Sequence, residues 1–326
     1  MNRNFFKQLF ILIISVYLVI TIAIALASQK FEPITPLTPL PEESADKVKL
    51  GKKLFHETKL SKNNTIACVS CHNLHNGGVD GLQFSVGING TIGRINAPTV
   101  FNSGYSIAQF WDARASSLED QVFFPIHDDL EMGSNWKEVI SKLSAVPDYV
   151  HSFKSIYKKE ISRELIQDAI ASFERSLVTL DSPFDLYLKG NDHAISVKAK
   201  KGYDLFKSYG CISCHHGRLV GGNMYEKMGL IKNYFDKDDI KKEDLGRFNV
   251  TGKENHKHEF KVPSLRNIEL TAPYFHDGSS KTLANAVSVM GRFQLGRNIP
   301  EQDISLIVSF LKSLTGKLPA SITTNK

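Results

Sequence analysis

A mainly α-helical chain of two related domains, with long loops and little strand, is what the sequence predicts. Three observations predict it. The pentapeptide CVSCH at Cys68–His72 returns as CISCH at Cys211–His215, and the two copies use all four cysteines of a 326-residue chain. Their flanks repeat too: KVKLGKKLFHE precedes the first and AKKGYDLFKSYG the second, each reading as a helix with GxxLF, a short loop and then the motif. Elsewhere the apolar spacing is helical, and stretches with strand character are few and short. So much helix and loop needs something besides side chains in the core, and a large planar cofactor would fill it.

The elements follow in order. Residues 1–27 open with Arg3 and Lys7, continue through LFILIISVYLVITIAIALA and reach the small-residue pattern Ala25-Leu26-Ala27. This reads as an export signal cleaved after Ala27, or as an uncleaved anchor, since the run is just long enough to span a bilayer. Either reading puts the rest outside the cytoplasm, in the periplasm, and only the uncleaved form would touch a membrane. Residues 28–45, with FEPITPLTPLPEES, read as an extended Pro-rich tether. The first domain, 46–190, opens on a helix with Val48, Leu50, Leu54 and Phe55 in helical spacing. It contains the clearest amphipathic helix, Ile161 to Leu180, whose Leu165, Ile166, Ala169, Ile170, Phe173 and Leu177 form one stripe. DSPFDLYLKGN breaks that pattern, and the second domain, 191–318, ends on the helix of PEQDISLIVSFLKSLTG, stopped at Gly316. Residues 319–326 are a tail.

The composition, 42% hydrophobic and 23% charged, is that of a folded globular protein. The formal charge of +6 is spread out, with no Lys/Arg block long enough for a nucleic-acid partner. A mildly basic surface can steer an acidic protein, but an ordinary solvated surface explains it as well.

Two thiols three residues apart suit a disulfide, a zinc knuckle or a haem anchor. The histidine after the second cysteine separates them. In CxxCH both thiols add across the haem vinyl groups, and the next residue, His, lands under the iron. Zinc would need four cysteines to converge, or partnered histidines, and would not require His after both pairs. Disulfides are permitted in an exported chain but do not require His either. Histidine makes up 11 of the 326 residues, so two such placements by chance are improbable. The motifs therefore predict two covalent haem c groups, attached at Cys68 and Cys71 and at Cys211 and Cys214, with His72 and His215 on the irons. Read from the residues alone, the other histidines are candidates for distal ligation, though any one singly is more often a surface or supporting residue; Met132, Met224, Met228 and Met290 could each offer a thioether to an iron, though each singly is more often core filler.

The stretches CVSCHNLHNGGVDGLQFSVG, NAPTVFNSGYSIAQFWDARASSLEDQVFFP, LEMG, FKVPSLRNIELTAPYFHDGS and AVSVMGRFQLG together resemble the bacterial dihaem cytochrome c peroxidases. That superfamily also holds the dihaem enzyme of methylamine-dehydrogenase maturation. The resemblance runs from about Pro41 to Gly316 and implies two c-type cytochrome domains with one covalent haem each. It implies that the N-terminal haem is peroxidatic, with Gln121, Pro125 and Glu131 on its open face. It implies that the C-terminal haem accepts electrons and takes Met290 as sixth ligand, where the maturation enzyme carries Tyr. Trp111 corresponds to the tryptophan between the haems. A calcium ion would take the Asn96 side chain and the Thr271 and Pro273 carbonyls. The implied partners are hydrogen peroxide and a small electron donor, a cytochrome c or a copper protein, with quinol as donor if the leader stays as an anchor. Family members are often homodimers.

One departure matters. Many members carry a histidine in an SxGHGW-like loop that caps the peroxidatic iron until the second haem is reduced. Here that loop reads SVGINGTIG, and Ile88, which cannot ligate, stands in its place. The expectation is a first haem open at rest, unless His75 or His127 substitutes. Two other functions stay in view: a maturation-type oxidase acting on a protein side chain, and a non-catalytic dihaem electron carrier.

Overall fold

Side-chain caps start most of the longer helices. Ser117, Asn135, Ser162, Ser182, Ser196 and Thr282 each accept a backbone N–H from the first helical turn that follows. The computed structural model describes residues 12, 14, 16 and 32–323. The leader expected at 1–27 lies outside them but for three isolated positions. Among the described residues no helix is long and apolar enough to cross a membrane.

The chain runs through α1 (Ala45–Phe55), α2 (Cys68–Cys71), α3 (Leu118–His127), α4 (Trp136–Ser144), α5 (Pro147–Tyr157) and α6 (Arg163–Ser176). It continues through α7 (Pro183–Leu188) and α8 (Val197–Ser208), then β1 (Tyr225–Lys227), α9 (Phe248–Thr251) and β2 (Glu259–Lys261). α10 (Leu283–Val289) leads into a π-helical turn, Met290–Gln294, followed by α11 (Glu301–Lys312) and α12 (Ala320–Thr323). β1 and β2 pair antiparallel, Glu226 opposite Phe260. The protein is mainly helical with little strand, as the sequence predicts.

Two apolar cores form. In the first, α1 crosses α6, and Leu54, Phe55, Ile166, Ile170 and Phe173 are at most 1% exposed. In the second, α8 crosses α11, burying Tyr203, Phe206, Ile307 and Phe310. The repeated GxxLF explains why the crossings match. A Cβ on Gly51 would overlap the Ala169 carbonyl of α6, and one on Gly202 the Leu306 carbonyl of α11. Each glycine thus admits a backbone of the partner helix; of the residues after them, Leu54, Phe55 and Phe206 enter the cores, and Leu205 packs half-buried against the second.

The stripe predicted on α6 is buried from Ile166 to Leu177, with Leu165 half-buried. The helix stops at Ser176, short of Leu180, because Asn102 captures the next residues: its amide donates to the Leu177 carbonyl, its side chain accepts from Thr179 N and donates to Thr179 Oγ1.

The Pro-rich segment is extended and packed. Ile34 is 0% exposed and joins the second core, and the Leu37 amide donates to Asp185 Oδ1. Near the C-terminus, Ile322 packs into the first core. Arg266, 2% exposed, gathers the second half: it pairs with Asp185 at 2.8 Å and donates to Ser182 Oγ and to the Thr35 and Arg218 carbonyls.

Candidate functional site

Both pentapeptides fold as a tight turn, and in both the histidine amide donates to the carbonyl of the first cysteine at 3.0 Å. α2 carries the first copy. The second is a 3-10 turn, Cys211–Ser213, entered through Gly210 at φ 92°. The two histidines are held alike. His72 Nδ1 donates to the Gly78 carbonyl at 3.2 Å, and His215 Nδ1 to the Val220 carbonyl at 3.1 Å. Committing Nδ1 to a carbonyl fixes the tautomer and leaves Nε2 as a bare lone pair, the arrangement a metal-ligating imidazole needs. Burial lowers the pKa of both rings, His215 to about 4, so both stay neutral.

The four thiols are free, and no disulfide joins them. Cys68 and Cys71 line one cavity, Cys211 and Cys214 another, so four sulfurs do not converge as a zinc site requires. Among the described residues no group of three or more His, Cys, Asp or Glu is placed to hold a metal ion. Burial pushes the Cys68 thiol far up, and Cys71 and Cys211 up to about 11, so none is a ready thiolate ligand. Two half-buried neutral thiols and one imidazole with a free Nε2, at the wall of an apolar cavity, fit a thioether-linked haem in each half.

The first cavity is lined by Phe55, Leu60, Ile66, Val122 and Ile126, and carries Gln121, Pro125 and Glu131 beside Cys68, Cys71 and His72. Its volume is about 50 Å³. Gln121 sits in the first turns of α3. Pro125, four residues on, has no N–H to give the Gln121 carbonyl, which loosens the helix there. Glu131 follows α3 in a turn closed by its amide on the Asp128 carbonyl. Burial first, and the nearby Asp128 charge second, push the Glu131 carboxyl up to about 7 against the pull of Arg114.

Ile88 is 6% exposed and does not line that cavity. Its amide donates to the Glu131 carbonyl at 2.9 Å, and its side chain packs on Gly133. His75 is exposed, and His127 stacks on Phe123 at 4.0 Å with its Nδ1 on the Phe123 carbonyl. Neither lines the cavity.

The second cavity, about 270 Å³, brings together Met290, Trp111, Asn96, Thr271 and Pro273 with Cys211, Cys214 and His215. Met290 opens the π-helical turn. Trp111 Nε1 donates to the Asn96 carbonyl at 2.9 Å. Asn96 Nδ2 donates to the Leu82 and Gln83 carbonyls, which leaves its Oδ1 as an oxygen donor. The Asn96–Thr99 segment connects the two sites. It lines the second cavity, while the Pro98 carbonyl faces the His72 ring of the first.

Two side chains in these cavities escaped the sequence reading, and a third, Met228, reads there as core filler. Met228 shares the second cavity with Met290. Lys261 is buried there, its ammonium donating to the Ala108 carbonyl, and burial lowers its pKa to about 8. Glu174 lines the first cavity at 4% exposure. Only Glu174 left a signal: it stands four residues after Ile170, so helical spacing puts a carboxylate on the apolar stripe.

The comparisons with known proteins agree. Residues 45–193 match the family model of the di-haem cytochrome c peroxidases. Cytochrome c peroxidase Ccp of Escherichia coli K12 is 47% identical over 286 residues, 87% of this chain, which spans 61% of that protein's length. Cytochrome c551 peroxidase of Nitrosomonas europaea is 46% identical over 289 residues, covering 88% of this chain and 85% of the relative. A solved MauG-like protein associated with microbial copper homeostasis is 28% identical with a TM-score of 0.75, over 88% of this chain and 94% of its own. Twin CxxCH turns with neutral, backbone-anchored histidines, together with 47% and 46% identity to two named peroxidases, lead to one conclusion: the chain belongs to the di-haem cytochrome c peroxidase family.

Proposed function

We propose that this chain, exported to the periplasm, reduces hydrogen peroxide to water in its first cavity, with electrons from a small cytochrome c or copper protein entering at the second. The balance is H2O2 + 2 H+ + 2 reduced donors → 2 H2O + 2 oxidised donors. The observation that carries this reading is the convergence of Gln121, Pro125 and Glu131 on the cavity of Cys68, Cys71 and His72, with no histidine besides His72 lining it.

A haem at each motif supplies one redox-active iron, so two one-electron deliveries serve a two-electron reduction. His72 and His215 would hold the irons through Nε2, and Met290 would offer the second a thioether, a ligand type that raises an iron's potential for electron entry. In the first cavity Gln121 orients peroxide by hydrogen bonding. The Glu131 carboxylate takes the proton from one peroxide oxygen and returns it to the leaving one, and its near-neutral pKa suits both acts. Trp111, anchored on the segment that touches both sites, lies on the electron route. Ile88 offers no ligand, so peroxide reaches the first site without prior reduction. Asn96 Oδ1 with the Thr271 and Pro273 carbonyls would hold calcium, completed by water, since all three are oxygen donors at one cavity wall.

Rapid mixing of the oxidised and half-reduced holoprotein with peroxide, with and without a small ferrocytochrome c, tests the proposal. The expected result is peroxide consumption matched to two ferrocytochromes oxidised. A carrier without catalysis leaves peroxide untouched. An oxidase acting on a protein side chain consumes it without oxidising ferrocytochrome.

A further inference from the structure

Glu174 is the buried carboxylate that the proposed chemistry does not use. It projects from α6 into the first cavity, beside Cys68, Gln121 and Glu131, at 4% exposure. Its Oε2 is fully buried with no hydrogen-bond partner among the described residues. An ionised carboxylate left unpaired in such a place is strongly disfavoured unless it is protonated or meets a positive charge.

The charges around it are few. From α3, Glu119 faces it, and from its own helix Arg175. From α2, Cys68 lies close enough for the two to influence each other. α1 buries only Leu50, Gly51, Leu54 and Phe55; its Lys47 is paired with Asp168, and its Lys52 donates to the Ser321 carbonyl. From Ser103–Tyr105, the Tyr105 hydroxyl donates to the Thr38 carbonyl. Glu131, further round the same cavity, is the other carboxyl.

We propose that Glu174 is the redox-linked proton site of the first cavity: its carboxylate takes up one solvent proton when one electron reaches the iron held by His72, and releases it when that electron leaves. An O–H bond forms on Glu174 as the iron gains one electron from the protein donor, so the net charge of the cavity stays constant. The inference rests on haem attachment at Cys68 and Cys71, and does not depend on peroxide being the substrate. Burial and the Glu119 charge already raise the Glu174 carboxyl to about 8, against Arg175. A positive ferric centre in the same cavity would pull that value down and a neutral ferrous one would restore it, so the carboxyl would hold its proton more tightly in the reduced state. The proton has a short way in. Glu119 and Arg175 form an ion pair with side chains 32% and 29% exposed, and Arg175 also reaches Glu43 at 3.3 Å.

The test is a redox titration of the dihaem holoprotein at several pH values, followed by visible absorption for each haem. The midpoint of the first haem falls as pH rises, by at most about 59 mV per tenfold change in proton concentration, the one-electron constant. Glu174→Gln removes one component of that slope, and Glu131→Gln leaves the same component in place. Infrared oxidised-minus-reduced spectra carry a protonated-carboxyl C=O band that Glu174→Gln abolishes and Glu131→Gln retains. A wild-type slope and band in Glu174→Gln overturn the proposal. Should that variant fail to take up haem, Glu119→Gln decides: removing the neighbouring negative charge moves the break in the profile to lower pH, and an unmoved break overturns the proposal.

Discussion

Burial opposes the charge of the Glu131 carboxyl and Asp128 adds to the effect, which raises its pKa to about 7. As the proposed base for peroxide it must be ionised. Below about 7 it is progressively protonated, so the peroxide reaction slows as pH falls and levels off above. Stopped-flow rates against pH should show that limb in the wild type and lose it in Glu131→Gln, whose rate should drop roughly 10²- to 10⁴-fold, the usual worth of a positioned acid–base group. Unchanged rates in Glu131→Gln would remove the residue from the chemistry. At this scale the motif residues were legible because covalent chemistry dictates spacing: Cys68, Cys71 and His72 could be read from three letters and two gaps. Glu131 and Gln121 were legible only through resemblance, since a carboxylate in a loop has no spacing of its own. Lys261 left no mark at all, because its burial depends on a two-strand pairing with β1 that three-residue strands do not announce.

The repeated GxxLF is the element-scale counterpart. Gly51 and Gly202 make the same close approach in the two halves, each beneath a carbonyl of the helix that crosses it. Alanine adds helix propensity, about 1 kcal/mol, at either position. It also forces the crossing helices apart, an overpacking cost of typically 1–3 kcal/mol or more. Gly51→Ala and Gly202→Ala should therefore lower the thermal unfolding temperature of the holoprotein, and a rise in either would contradict the packing account. The helices themselves were legible from periodicity and caps. Their ends were less so, as α6 shows, since Asn102 ends it from a distant loop and no local signal in Val178 or Thr179 marks the stop. DSPFDLYLKGN read as a break, yet Ser182 caps a short helix within it whose Phe184 enters the second core.

Over the whole molecule, Arg266 ties the extended N-terminal segment, α7 and the loop after the second motif into one cluster with Asp185. Removing one partner of a buried pair strands the other, so Arg266→Ala should cost roughly 3–5 kcal/mol by denaturant unfolding. A loss below about 1 kcal/mol would mean the cluster is not a stabilising one. That tie was invisible in sequence, because residues far apart in the chain meet only once both cores have formed. The proposed division of labour between the cavities depends on what Ile88 cannot do. It holds the Glu131 carbonyl and packs on Gly133, and no histidine replaces it at the first cavity. Electron paramagnetic resonance of the fully oxidised dihaem protein, before and after peroxide, tests this most directly. The account predicts one high-spin and one low-spin ferric signal, with the high-spin signal lost at once on adding peroxide. Two low-spin signals that ignore peroxide until an electron is supplied would contradict it.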